Sequence, residues 1–207
     1  QNAETWKDKG ILAKELGNYE EAISSLDTAI KLGKDDKRTW VTKAECYDHL
    51  DRKEDAIDAY DEAIDIDPKD AKLLFKKGEI QYEAGKKKDA VDSYEKAVKI
   101  DPEYEEAWFE RGRTLEDLGR SQKAIESYDK AIGLDAQDKY ARNNKGRVLL
   151  DTGKIEKAKR AFEKALDIDG NFKSASEGLE IAEEKEEEQK LEKYSRKVLE
   201  FECERNR

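Results

Sequence analysis

A fixed period of 34 residues constrains this chain more than any other feature. Steps of 34 lead from Ala22 to Ala56, Ala90, Ala124 and Ala158, and from Ala29 to Ala63, Ala97, Ala131 and Ala165. The same step carries Leu26 to Tyr60, Tyr94, Tyr128 and Phe162, and Gly10 to Ala44, Gly78, Gly112 and Gly146. Trp6, Trp40, Leu74 and Trp108 share a column that Arg142 breaks; Gly17, Gly85, Gly119 and Gly153 share another, with Asp51 the exception. Agreement across so many columns means one supersecondary unit repeated in tandem, each copy burying its apolar residues against the next. The blocks run 3–36, 37–70, 71–104, 105–138 and 139–172.

Each block reads as two helices. Numbered from 1 within a block, the conserved-size positions 4, 7, 8 and 11 and then 20, 24 and 27 follow the helical period, although position 7 is mostly Lys. The glycines at position 15 end the first helix, where a residue just past the C-terminus takes a positive φ; Asp51 tolerates that conformation at a small cost. Pro68 and Pro102 stop the second helix. Small residues at 8 and 20 let the helix axes approach, and the aromatic at 24 is expected to fill the gap against the neighbouring block. Leucine in place of Ala90 or Ala124 is then predicted to overpack the contact and cost about 1–3 kcal/mol.

These residues resemble the tetratricopeptide repeat family over positions 3–172. The motif stands as Trp40, Ala44, Tyr47, Ala56, Tyr60, Ala63 and Pro68 in the second block, Gly78, Ala90, Tyr94, Ala97 and Pro102 in the third, and Trp108, Gly112, Ala124, Tyr128 and Ala131 in the fourth. The resemblance implies an all-α, right-handed superhelix of five helix-turn-helix repeats, a TPR solenoid, with a concave groove lined by the first helix of each pair.

Composition removes most other function classes. Of 207 residues 44% are charged, with a net charge of −10, which suits helices that hide an apolar stripe and solvate the rest. The acidic balance argues against nucleic-acid and anionic-membrane partners. No apolar run reaches the 18 or so residues of a membrane span. The chain contains no Met, so Gln1 reads as a trimmed start with sequence upstream missing. Two cysteines, Cys46 and Cys203, cannot make a disulfide framework, and a reducing, cytoplasmic setting is the simpler expectation. His49 is the one histidine, so triads and multi-histidine metal sites lack material. Asp65, Asp67 and Asp70, like Asp167 and Asp169, lack the Gly and Glu of a calcium loop and read as helix-end loops. No phosphate-binding glycine loop is present. The expectation is a non-enzymatic chain with no cofactor and no metal.

At about 100° per residue, positions 2, 5, 6, 9, 12 and 13 of the first helix lie opposite the packing face. The resemblance implies that they line the groove. Val41, Phe75 and Phe109 share position 5 and would form an apolar line suited to an amphipathic helix, or would pack against neighbouring first helices. Lys72, Lys76, Tyr82, Arg113, Asn144 and Arg147 complete the candidate ligand-binding set. Some members of the family clamp the C-terminal carboxylates of chaperone tails with Lys, Asn, Asn, Lys and Arg. Lys7 and Lys72 match that pattern, Lys76 replaces the Arg, and Ile11 and Thr42 stand where the asparagines belong.

Residues 173–207 lose the motif. Ala175, Leu179 and Ala182 are spaced to cap the array, and the charged run Glu183–Lys190 is expected to project into solvent. Leu191, Tyr194, Val198 and Phe201 then form a narrow stripe. Three readings stay open for it: an idle tail, a self-association element docking in a neighbouring copy, or a return onto its own chain. The leading expectation is a scaffold that takes a peptide or amphipathic helix of a partner protein in its groove. Self-assembly through the C-terminal helix is the alternative, and a co-chaperone with a degenerate carboxylate clamp is a third reading.

Overall fold

A computed structural model describes residues 2–205, with side-chain surroundings as far as Phe201. Among the described residues the chain is entirely helical. The elements are α1 (Ala3–Glu15), α2 (Tyr19–Lys31), α3 (Lys37–His49), α4 (Lys53–Ile66), α5 (Ala71–Glu83), α6 (Lys87–Ile100), α7 (Glu105–Asp117), α8 (Ser121–Leu134), α9 (Lys139–Asp151), α10 (Ile155–Ile168) and α11 (Lys173–Arg205). Contacts divide the chain into two compact units, Gln1–Thr114 and Leu115–Arg207.

One turn chemistry recurs. Gly17, Gly85, Gly119 and Gly153 have φ between 68° and 79°, and Asp51 takes φ 56° in the same place. In each case the amide beyond closes onto the carbonyl five residues back, as Asn18 to Ala13 at 2.9 Å and Arg52 to Tyr47 at 2.9 Å. This satisfies carbonyls that the helix end would otherwise leave bare. Helix starts are fixed by side chains: the Asp36 carboxylate accepts from the Thr39 amide, and Asp70 and Asp138 do the same for α5 and α9. The aspartates of the helix-end loops thus act as caps and ion-pair partners, with Asp67 and Asp70 both holding the Lys37 ammonium, at 2.8 and 3.0 Å.

In the first unit α1 pairs with α2, α3 with α4 and α5 with α6, and each pair packs on the next. The reason for a glycine at position 8 is direct. A methyl at Gly78 would lie 2.6 Å from the Tyr94 ring, and one at Gly10 would lie 2.7 Å from Leu26. The large residue at 24 therefore sits on the small residue of its own block and also packs toward the next one, as expected: Tyr60 shares a buried cluster with Leu73 and Ile80, and Tyr94 with Ala107. Lysine in the packing stripe also has a reason. Lys43 reaches Asp27 at 2.7 Å, Lys77 pairs with Asp61, and Arg111 lies 3.6 Å from Glu95. Each cation tethers a first helix to the second helix of the preceding block while its stem covers apolar surface; the Lys43 ammonium lies 4.7 Å from the Trp40 ring centre.

In the second unit the same tether joins Lys145 to Asp129. Phe162, fully buried, is held between two glycines: a methyl at either Gly146 or Gly178 would come within 2.6 Å of its ring. Gly178 belongs to α11, whose Ala175 and Ala182 are also fully buried, so the start of α11 covers the fifth block. The charged run beyond does not wholly leave the surface. Glu186 is half-buried against α10, where the Lys159 ammonium donates to it at 2.6 Å, and Lys190 pairs with it as well. These two ammonium groups pull the Glu186 carboxyl down to about 2. A carboxylate in such a run can dock because it has a cation waiting on the neighbouring helix.

Candidate functional site

Positions 9 and 12 of successive first helices face one another, and their side chains are tied across the repeats. Lys14 of α1 pairs with Glu45 of α3. The Arg113 guanidinium of α7 lies over the Tyr82 ring of α5, 4.5 Å from its centre. In the second unit Arg147 of α9 pairs with Glu116 at 3.0 Å. The three contacts use an ion pair, a cation–π contact and an ion pair of reversed sense, so the geometry recurs while the chemistry changes.

The candidate ligand-binding residues divide by exposure. Lys72 and Lys76 of α5 are exposed; Lys76 bonds Glu79 at 2.7 Å and stands over the Phe75 ring. Val41, Tyr82, Phe109, Arg113 and Asn144 are half-buried, and Arg147 is exposed. Phe75 is buried at 7% exposure, its ring 4.9 Å from Tyr104 and 5.7 Å from Tyr94. It forms a wall of the core and leaves little of its ring to a ligand. Val41 is packed against the buried cluster around Ala44 and Leu73. Of the clamp-like residues, Lys7 is buried and engaged by Glu4 at 2.7 Å and Asp36 at 3.4 Å, and the Thr42 hydroxyl donates to the Arg38 carbonyl. A ligand carboxylate at Lys7 would therefore have to displace two carboxylates.

One group beneath this face was not singled out by the sequence. Tyr94 is fully buried and its hydroxyl has no hydrogen-bond partner among the described residues. Glu79, Glu110, Arg113 and Tyr82, all lining positions, are the charged and phenolic groups around it; burial above all, and then Glu110, Glu79 and Tyr82, push its pKa well above the ordinary phenol value, while Arg113 opposes the shift. The equivalent Tyr128 hydroxyl donates to Glu116 at 2.7 Å. The difference lies at position 12, where the third block has Tyr82 instead of a carboxylate. The column at position 12 carries the signal, but it takes the structure to show that position 24 reaches position 12. Nearby, burial raises the Glu110 carboxyl while Arg113, 2.6 Å away, opposes the shift.

Elsewhere, Cys46 is fully buried, and loss of solvation pushes its thiol up to about 11. Cys203 lies outside the residues whose side chains are described. His49 stacks on Tyr19 with ring centres 4.5 Å apart. Among the described residues no group of His, Cys, Asp and Glu is placed to hold a metal ion, and no helix is long and apolar enough to cross a membrane. Leu191, Tyr194, Leu199 and Phe201 of α11 are each 65–70% exposed, and Val198 is 38% exposed.

Several known structures share this architecture. A crystal structure of MamA protein superposes with a TM-score of 0.75 at 22% identity, covering 81% of this chain and 92% of that one. MamA from Desulfovibrio magneticus RS-1 gives 0.71 at 19% identity, over 82% of this chain and 96% of that one. YrrB, described as a TPR protein with an unusual peptide-binding site, gives 0.74 at 20% identity, over 84% and 90%. At these identities the likeness establishes the fold. Among curated proteins none matches the sequence. Tetratricopeptide repeat profiles match residues 7–71, 75–139 and 140–172, well over half the sequence. The chain belongs to the tetratricopeptide repeat family.

Proposed function

We propose that the chain is a non-enzymatic protein-interaction scaffold that takes a peptide or an amphipathic helix of a partner on the face carried by its first helices. The observation that carries this reading is the buried, unpartnered Tyr94 hydroxyl beneath the lining residues Tyr82, Glu79, Glu110 and Arg113. A native core rarely leaves such a group unsatisfied, and a ligand that displaces Arg113 from the Tyr82 ring could supply the missing partner. The exposed ammonium groups of Lys72 and Lys76 would set the choice of partner by charge, while half-buried Val41, Tyr82 and Phe109 would give it an apolar footing. The peptide-binding site named for YrrB is in keeping with this use of the fold.

Peptides selected from a random display library against the whole chain provide the test. Selected peptides should lose most of their affinity on Lys72→Ala/Lys76→Ala, and should lose affinity on Tyr94→Phe without loss of folding. Affinities that ignore both variants would refute the reading. A chaperone-tail peptide included in the same titrations tests the clamp reading, which the engagement of Lys7 disfavours.

A second reading has its own support. The exposed stripe of Leu191, Tyr194, Val198 and Phe201 would make α11 a self-association element. Solution mass of the whole chain and of a truncation after Glu188 tests it: a dimer that becomes a monomer on truncation supports it, and two monomers reject it.

A further inference from the structure

Away from the first-helix lining, α8, α9 and α10 enclose a cleft of about 560 Å³ in the second unit. Six cations line it: Arg142, Lys145, Lys154, Lys157, Arg160 and Lys164. Its one carboxylate, Asp129, is already held by Lys145. No carboxylate among the described residues pairs with Lys157, Arg160 or Lys164, in a chain with 51 acidic residues against 41 basic ones. Unpaired like charges gathered in one cleft repel each other and oppose folding. A partner that neutralises them would remove that cost.

The second block has the counterpart. A cleft of about 220 Å³ there is lined by Trp40, Lys43, Tyr47, Asp55, Asp58, Ala59 and Glu62; its one cation, Lys43, is held by Asp27, and Asp55 by Arg52, each at 2.7 Å, which leaves Asp58 and Glu62 as its unengaged carboxylates among the described residues. Asp55, Asp58 and Glu62 occupy the block positions that Lys157, Arg160 and Lys164 occupy in the fifth block. In the third and fourth blocks the same positions are of mixed charge: Asp89, Asp92 and Lys96, then Lys123, Glu126 and Lys130. Both triplets are spaced i, i+3, i+7 on a second helix, so each forms one charged edge about 10 Å long. The two edges match in spacing and are opposite in sign.

We propose that the acidic edge of α4 of one copy docks into the basic cleft between α8 and α10 of a second copy. The second copy is the occupant favoured by the structure, because the complementary edge is present on the same chain with the same spacing. An interface built from two different patches is heterologous, so each copy can both give and receive, and association continues beyond a dimer unless rotation closes it into a ring. Being made of exposed charge pairs, the contact weakens as salt is added. This surface is separate from the first-helix face and does not depend on what that face binds.

Sedimentation velocity on the whole chain at low ionic strength tests the proposal, with Asp55→Asn/Asp58→Asn/Glu62→Gln as one variant and Lys157→Gln/Arg160→Gln/Lys164→Gln as the other. The wild-type chain should form species larger than a dimer that dissolve with added salt. Each variant should associate about tenfold more weakly, the middle of the range for three exposed pairs at their usual worth. An equimolar mixture of the two retains one good edge and one good cleft, so it should yield a heterodimer and nothing larger. Three results overturn the proposal: a monomeric wild-type chain, an α4 variant that associates like wild type, or a mixture that stays monomeric. Association lost only in the cleft variant would assign the cleft to another acidic segment, such as the Glu183–Glu188 run.

Discussion

Adding one methyl at Gly146 should loosen the second unit, and adding one at Gly133 should tighten it. A Cβ at Gly146 would meet three atoms of the Phe162 ring at 2.6, 2.8 and 2.9 Å. The ring has little room to move, because Gly178 of α11 approaches the same three ring atoms as closely and no part of Phe162 reaches solvent. Overpacking of this kind costs about 1–3 kcal/mol. Two considerations lower the figure. Alanine is a better helix former than glycine by up to about 1 kcal/mol. In addition, Ala44 stands at the same block position beside Tyr60, in one buried cluster, so the frame can be built around a methyl when the helices are set for it. A net loss of about 1 kcal/mol is expected. At Gly133, near the end of α8, a Cβ meets nothing within 4 Å, so only the gain in helix propensity remains. Urea unfolding followed by far-ultraviolet circular dichroism separates the two. With a slope of about 2–3 kcal/mol per molar, Gly146→Ala should lower the midpoint by about 0.3–0.5 M, and Gly133→Ala should raise it slightly. Midpoints that move in the same direction would refute the argument that close approach to Phe162 is what requires glycine at position 146.

Other perturbations probe other links. Tyr94→Phe removes an unpartnered hydroxyl and should leave stability unchanged or raise it by up to about 1 kcal/mol, whereas Tyr128→Phe loses the bond to Glu116 and should cost about 1 kcal/mol; the pair is read by the same unfolding curves. Glu186 titrates at about 2 in the folded chain against an ordinary 4.5, a lowered value, so its hold on α11 is complete above pH 4.5 and is lost as pH falls toward 2. Protection of the α11 amides, measured as exchange relative to the intrinsic rate at each pH, should fall through that window, and Glu186→Gln should remove this fall. In a Cys203→Ser background, the buried Cys46 thiol, pushed up to about 11, should resist alkylation at pH 8 until the chain is unfolded.

The fold is legible in residue spacing alone. The 34-residue step, the column of positive-φ residues at Gly17, Asp51, Gly85, Gly119 and Gly153, and the small residues facing large ones specify helix hairpins that must stack. They do so because each acts over a few residues or at a constant offset, where spacing alone reports contact. Which lining residues remain accessible depends instead on how the helices pack against one another. Phe75 and Lys72 are three residues apart on the same helix, yet one is a wall of the core and the other is exposed. A helix in a stack touches its own partner and neighbours in the adjoining blocks, so its periodicity says which residues share a face but not how much of that face the neighbours cover. The orphaned Tyr94 hydroxyl and the unpaired cations around Lys157 are of the same kind. Each is defined by what neighbouring helices fail to supply, and that depends on distances between segments that no local rule fixes.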